Sequence, residues 1–362
     1  MSDCPCCRHS LLLPLYAVES IPAFQNKVHD DPAEARAAST GRVDLVQCAK
    51  CGFVFNAAFD PGLMDYDPGY QNEQAHSPLF QGHLEAVAGL IMAEAPPPRR
   101  VVEIGCGKGF FLNMLREKGY SAIGFDPASE SDDPHIIRRY FGPDTNPEPR
   151  DLVVLRHTLE HVPAPVDFLH DIARANAFSG LIYIEVPCFQ WIMEHGAFWD
   201  IFHEHCNYFT EQTLGGLFSQ ARIRRTFGGQ YLSLTARIDS LKDSPTPGTA
   251  PRIIPPFTAR LERMKDFVRD HSGLLVWGAG AKGAAFVNLT DPDRRHVAAL
   301  VDINPKKQGR FVSGTGHPII DPRSLENHRG RLIVVTNSNY LDEIEAMTKN
   351  LENTLIPLEH LL

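Results

Sequence analysis

From residue 83 onward the chain alternates between two hydrophobic periods. The segment 83–95, HLEAVAGLIMAEA, places Leu84, Val87, Ala88, Ile91 and Ala95 at helical spacing, and the prolines at 96–98 stop it before the apolar run VVEIG. Strand-like and helical segments then alternate: VVEIG, a helix over FFLNMLREKG, SAIGFD, DLVVLRH, a helix over PVDFLHDIARA, and LIYIEVP. Strands separated by helices predict parallel units with right-handed crossovers. The stretch 240–256, SLKDSPTPGTAPRIIPP, is too rich in proline for an ordinary helix or a central strand and marks a joint. Beyond it Phe257, Leu261, Met264, Phe267 and Val268 share one helical face, and strands are expected at 274–277, 297–301 and 332–336.

Before residue 83 the pattern is weaker. LLLPLYAV at 11–18 is briefly apolar, while 30–42 and 59–70 are rich in Asp, Pro and Gly and read as loops around a compact unit. The expected organisation is therefore an N-terminal module at 1–65, a central α/β domain at 66–245 and a second α/β domain at 255–362. A chain of 362 residues accommodates three such units.

Composition narrows the function. The chain is 43% hydrophobic and 22% charged, and no apolar run approaches the roughly 20 residues of a membrane helix. MSDCPCCRHS lacks the order of a signal peptide, so a cytoplasmic location is expected. A net charge of −9 without a dense basic run argues against a nucleic-acid partner and leaves a small molecule.

Five of the eight cysteines lie in the first 51 residues. Cys4 and Cys7, then Cys48 and Cys51, form two C-x2-C pairs, the donor set of a tetrahedral structural zinc site. Cys6 is an alternative to either of its neighbours.

Two glycine-rich turns follow strands. In the first, Glu103-Ile104-Gly105-Cys106-Gly107-Lys108-Gly109, Phe110 stands where a nicotinamide fingerprint needs its third glycine, so another cofactor is indicated. Glu103 suits a ligand with a cationic end, such as the aminoacyl ammonium of S-adenosylmethionine. Asp126, ending the next strand, suits a ribose diol. This E-x-G-x-G-x-G then D-P arrangement resembles the class I methyltransferases, in which Arg156 and His157 of VVLRHTLEHV also become cofactor candidates. The second turn, Gly278-Ala279-Gly280-Ala281-Lys282-Gly283, does satisfy G-x-G-x-x-G, with Asp302 ending the next strand. Read alone it favours an NAD-dependent oxidoreductase, but the domain is short and Lys282 sits where it can face a diphosphate.

FWDIFHEHCNYFT at 198–210 concentrates His203, Glu204, His205 and Tyr208 after a strand. H-E-H lacks the H-E-x-x-H spacing that places two imidazoles on one helix face, so proton transfer is expected there rather than a catalytic metal.

Taken in order, the cysteine pairs, EIGCGKGFF, LEHVPAP, IEVP, HEHCNYFT, GAGAKG and VDINPKKQG resemble the zinc-containing C-methyltransferases of deoxysugar pathways. The resemblance implies methyl transfer to carbon beside the ketone of a nucleotide-linked 4-keto sugar. It implies His205 as base, with Glu204 orienting it or contacting sugar hydroxyls, and His161 and Tyr70 supporting the oxyanion or placing the carbon. It also implies that the C-terminal domain grips the nucleotide-diphosphate sugar, with Gly280, Lys282 and Asn304 as candidates and Lys306 and Gln308 as weaker ones. The chain departs from the family at Phe202, where a tyrosine is common, which keeps an oxygen or nitrogen acceptor open. A non-catalytic binding module is the remaining alternative.

Overall fold

The computed structural model describes residues 3–64, 71, 75–142, 144, 145, 148–245 and 253–361. The N-terminal module is built from β1 (Leu12–Pro22), β2 (Val28–His29), a short helix α1 (Pro32–Arg36), β3 (Thr40–Cys48) and β4 (Val54–Asn56). The brief apolar run at 11–18 belongs to β1, which pairs antiparallel with β3 through two irregularities in register. The segment 30–42, expected to be loop, contains α1 and the start of β3. Its loop-like residues are a helix start: Asp31 accepts from the amides of Ala33 and Glu34, and Pro32 occupies the first helical position.

The central unit comprises α2 (Pro78–Glu94), β5 (Arg100–Ile104), α3 (Phe110–Glu117), β6 (Ser121–Phe125), β7 (Ile136–Ile137), β8 (Leu152–Arg156), α4 (Pro165–Ala175), β9 (Leu181–Pro187), α5 (Phe189–Glu194), β10 (Asn207–Tyr208), α6 (Glu211–Gly215), β11 (Ala221–Thr226) and β12 (Tyr231–Arg237). Seven of these strands form one sheet in the order β11-β12-β9-β8-β5-β6-β7. The five from β9 to β7 are parallel, whereas β12 runs antiparallel to β9 and β11 antiparallel to β12. The chain leaves β5 towards β6 on one side and returns to β8 on the other. A crevice therefore opens beyond the carboxyl ends of β5 and β8, the ligand position of open α/β sheets. β10 leaves this sheet and pairs antiparallel with β4, so the segment carrying H-E-H is stitched to the N-terminal sheet.

The C-terminal unit comprises α7 (Phe257–Asp270), β13 (Leu274–Trp277), α8 (Ala281–Thr290), β14 (Val297–Val301), β15 (Phe311–Val312), β16 (Ile319–Ile320), β17 (Leu332–Val335), α9 (Leu341–Thr348) and β18 (Thr354–Pro357). Its parallel sheet has the order β16-β14-β13-β17-β18, which gives a second switch point at the end of β13. The three strands expected here are joined by two more, β16 and β18. β15 pairs with β2, tying this unit back to the N-terminal module. A single cluster of buried side chains runs through all three units, including Val54, Phe198 and Phe286. Among the described residues no helix is long and apolar enough to cross a membrane.

Candidate active site

The crevices at β5/β8 and at β13 open on one cavity of about 430 Å³, lined from the central unit, the C-terminal unit and Asn26 of the N-terminal module. At its first end lies the turn between β5 and α3. Glu103, the penultimate residue of β5, is buried, and its Oε2 has no hydrogen-bond partner among the described residues. Burial pushes its carboxyl up to about 8; the Arg156 charge opposes this and Asp126 adds to it. A buried carboxyl with an unused oxygen at the cavity wall is a ready acceptor for an ammonium. Gly105, at φ +76°, turns the chain out of β5 with Thr158 close against it. Asp126 organises this turn: its Oδ2 accepts from Gly107 N at 2.8 Å and its Oδ1 from Ala128 N at 2.9 Å. Gly105 and Gly107 line the cavity, and the half-buried Asp126 holds Gly107 beside it.

The ends of β8 and β9 carry a buried charge cluster. Arg156 donates through Nε and Nη2 to Glu185 Oε1 at 3.1 and 2.8 Å and lies over the Phe111 ring. Glu185 is fully buried. Burial alone would raise it, but Arg156, His157 and His83 hold it well below the usual carboxylate range. His157, at φ +49°, has its ring nitrogens 3.3 Å from Glu160 and from Glu185. Burial disfavours its charge, yet the two carboxylates lift it to about 9. Arg156 and His157 both line the cavity, but each is engaged with Glu185. Glu185 and Glu160, which anchor this cluster, were not singled out in sequence, although both lie in the quoted motifs IEVP and LEHVPAP.

The H-E-H segment divides its labour. His205 lines the cavity, with its ring 4.7 Å from that of His161 and 4.4 Å from that of Phe202. Burial, and then the neighbouring His161 and His157, hold it well below the ordinary histidine value, so it is a neutral imidazole able to accept a proton. His161, also at the cavity, shares its Nδ1 hydrogen bond with the Glu204 carbonyl at 2.9 Å; because a carbonyl only accepts, Nδ1 is the donor and Nε2 is left for other partners. Glu204 does not line the cavity. It is buried, and its Oε1 accepts from Gln25 N at 3.0 Å, so this carboxylate oxygen secures the N-terminal module rather than orienting His205. His203 is likewise structural: it is fully buried, Nδ1 bonds the Arg42 carbonyl, and its ring stacks on Phe59. Tyr208 closes the turn through bonds to both backbone groups of Phe202. Tyr70 lies outside the described residues.

At the cavity's other end, Gly280 caps α8 with extended backbone. Lys282 lines the cavity but reaches back across the seam, to Asp200 Oδ2 at 3.0 Å and Gln230 Oε1 at 2.8 Å, with its ammonium over the Trp191 ring. Gln230 is in turn paired with Asn337. Asn304 is 2% exposed and lines the cavity, and its Nδ2 is buried without a partner among the described residues. The sequence reading placed weaker candidates at Lys306 and Gln308. Lys306 is exposed, and Gln308 Nε2 donates to the Asp302 carbonyl. The cavity instead receives Lys307, buried, with Nζ 3.0 Å from the Ala279 carbonyl and its charge disfavoured by that burial. A run of two lysines carries no signal of which one turns inward.

Away from the cavity, the Sγ atoms of Cys4, Cys7, Cys48 and Cys51 lie within 4.8 Å of one another, with Cys4 to Cys51 at 3.6 Å and Cys7 to Cys48 at 3.5 Å. Cys6 is buried outside this group.

Comparison with known proteins finds two domain matches along the chain. Residues 72–221 match a family model described as a methyltransferase domain, and residues 258–355 match one described as a C-methyltransferase C-terminal domain. The chain is similar to the C-methyltransferase NovU of Streptomyces niveus, with 23% identity covering 95% of this chain and 91% of that protein. Among solved structures, the 1,6-didemethyltoxoflavin-N1-methyltransferase of Burkholderia thailandensis is 14% identical, with a TM-score of 0.34, covering 51% of this chain and 95% of that one. The magnesium protoporphyrin IX methyltransferase of Synechocystis PCC 6803 is 16% identical, with a TM-score of 0.34, covering 47% and 89%. With the seven-stranded sheet, its glycine turn and these two domain matches together, the chain is a class I S-adenosylmethionine-dependent methyltransferase carrying the C-terminal domain of C-methyltransferases.

Proposed function

We propose that the enzyme transfers the methyl group of S-adenosylmethionine to the carbon beside the ketone of a nucleotide-linked 4-keto sugar. The observation that carries this reading is that both glycine turns open on one cavity whose wall also contains a neutral histidine. The methyl donor takes the end at Glu103, Gly105 and Gly107, with its ammonium towards Glu103 and its ribose towards Asp126. The nucleotide takes the end at Gly280, Asn304 and Lys307. There the start of α8, a ten-residue helix, Asn304 Nδ2 and the Lys307 ammonium offer the donors that a diphosphate needs.

His205 accepts the proton from the carbon, and His161, whose one N–H is held by the Glu204 carbonyl, helps to place that carbon. The carbanion would then attack the methyl carbon, so that the carbon–carbon bond forms as the methyl–sulfur bond breaks and the sulfur leaves as the neutral thioether. Such a displacement depends on holding carbon, methyl and sulfur in line, the service the enclosing wall provides. Phe202, with its ring against His205, offers no hydroxyl to an oxyanion, so that task falls to other groups.

The four cysteine sulfurs are spaced as a tetrahedral zinc ion requires, since bonds of about 2.3 Å place thiolates a little under 4 Å apart. With all four positions filled by protein, zinc here would hold the module's fold and activate no water.

Calorimetry with nucleoside diphosphates tests the substrate half of the proposal. Binding that weakens at least tenfold in Lys307→Met supports it. Tight NAD binding with none by nucleoside diphosphates would transfer the second turn to the oxidoreductase reading.

A further inference from the structure

The turn Leu159–His161 and the H-E-H segment bring together three donors that neither segment holds alone. Glu160, His161 and His205 each offer one ligand atom, and these atoms lie within 4.8 Å of one another. All three residues line the cavity. We propose that Glu160, His161 and His205 form a second divalent-cation site, for a transition ion such as zinc or cobalt, whose occupation silences the enzyme.

Two imidazoles and one carboxylate, with further positions open to a cavity, are the donor set such ions favour over magnesium or calcium. Glu160 Oε2 is buried without a hydrogen-bond partner among the described residues, in a residue 1% exposed. The outer contacts are those of metal-bound ligands: His161 donates Nδ1–H to the Glu204 carbonyl, leaving Nε2 for the ion, and the other Glu160 oxygen faces His157. The ligand-bearing turn is itself fixed. Asn207 Nδ2 donates to the carbonyls of Leu159 and Val162 at 3.1 and 2.6 Å, and Cys206 Sγ to that of Glu160 at 3.3 Å. An ion at about 2.1 Å from each ligand sets them roughly 3–3.5 Å apart, so binding needs only a small inward rotation of the side chains.

The consequence for turnover rests on the proposed role of His205; the site itself does not. A cation takes the lone pair with which His205 would accept the proton.

The test is a cobalt titration of the full-length protein, pre-loaded with one equivalent of zinc, followed by visible spectroscopy and turnover together. The proposal expects a further equivalent with weak visible bands and no thiolate charge-transfer band. It also expects turnover to fall about a hundredfold at saturation and to return with chelator. Glu160→Gln or His161→Asn should weaken this binding at least tenfold. Because the wild-type spectrum is decisive by itself, a variant that fails to fold leaves the test intact. No further equivalent, or one with a thiolate band, overturns the site. Binding of the expected type with undiminished turnover upholds the site and removes His205 from the role of base.

Discussion

Gly105→Ala isolates the turn that receives the methyl donor. A side chain at φ +76° costs about 1–2 kcal/mol. The added Cβ would also overlap Thr158 Oγ1 and press on Thr158 Cγ2 and Cβ at 3.2 and 3.3 Å. Thr158 Oγ1 lies 3.2 Å from the Ile104 carbonyl and 3.1 Å from that of Arg156, and loss of this anchorage costs about 1 kcal/mol more. Together these amount to about 2–3 kcal/mol, a fall in melting temperature of roughly 3–4 °C for a chain of this size. Gly107→Ala is the internal control. It has φ +54° but nothing within 4 Å of its added Cβ, so only the backbone cost applies. Thermal unfolding without ligand should place Gly105→Ala clearly below Gly107→Ala, while calorimetry with S-adenosylhomocysteine should show both weakened, because both line the cavity. Equal melting temperatures for the two variants would refute the crowding argument.

Three further outcomes follow from the site. Because burial raises Glu103 to about 8, the ligand-free enzyme carries a proton there at pH 7, and an arriving ammonium expels it. Calorimetry in buffers of different ionisation heat should register release of about one proton at pH 7, fading through about pH 8 and absent in Glu103→Gln; no release at pH 7 contradicts the placement of the ammonium. His205→Asn should lower turnover about 10²–10⁴-fold with donor binding kept, and in the wild type the acid limb set by His205 should fall below pH 6.5, because burial and the nearby histidines favour its neutral form. Cys48→Ser should lose the proposed zinc and much of the turnover, although the cysteines lie away from the cavity, because β4 pairs with β10, which begins two residues after His205; full activity in a metal-free variant would show the module to be dispensable.

Legibility in the sequence followed periodicity and local motifs. PVDFLHDIARA coincides with α4, and four apolar runs mark β5, β6, β8 and β9, because buried parallel strands and amphipathic helices carry their own hydrophobic signature. β11 and β12 carried no such mark. β11 is an edge strand with no buried residue, and half of its sequence ARIRRT is arginine. Contacts between distant segments were also hidden. Nothing local in H-E-H tells that His203 and Glu204 turn to the N-terminal module while His205 turns to the cavity, since β10, which sets their directions, exists only by pairing with β4. Lys282 looked like a phosphate ligand in its motif, but folding brings Asp200 and Gln230 within its reach. The cysteine pairs were legible because their spacing is itself the chemical requirement.

The central claim is that the methyl group goes to carbon, and it is tested by supplying S-adenosylmethionine labelled with ¹³C at the methyl group together with a nucleotide-linked 4-keto sugar, then recording the ¹³C spectrum of the product. The product should carry a labelled C-methyl resonance, correlated by long-range proton–carbon coupling to the position beside the ketone, with the proton originally there released to solvent. A labelled methoxy or N-methyl resonance, with that proton retained, would contradict it.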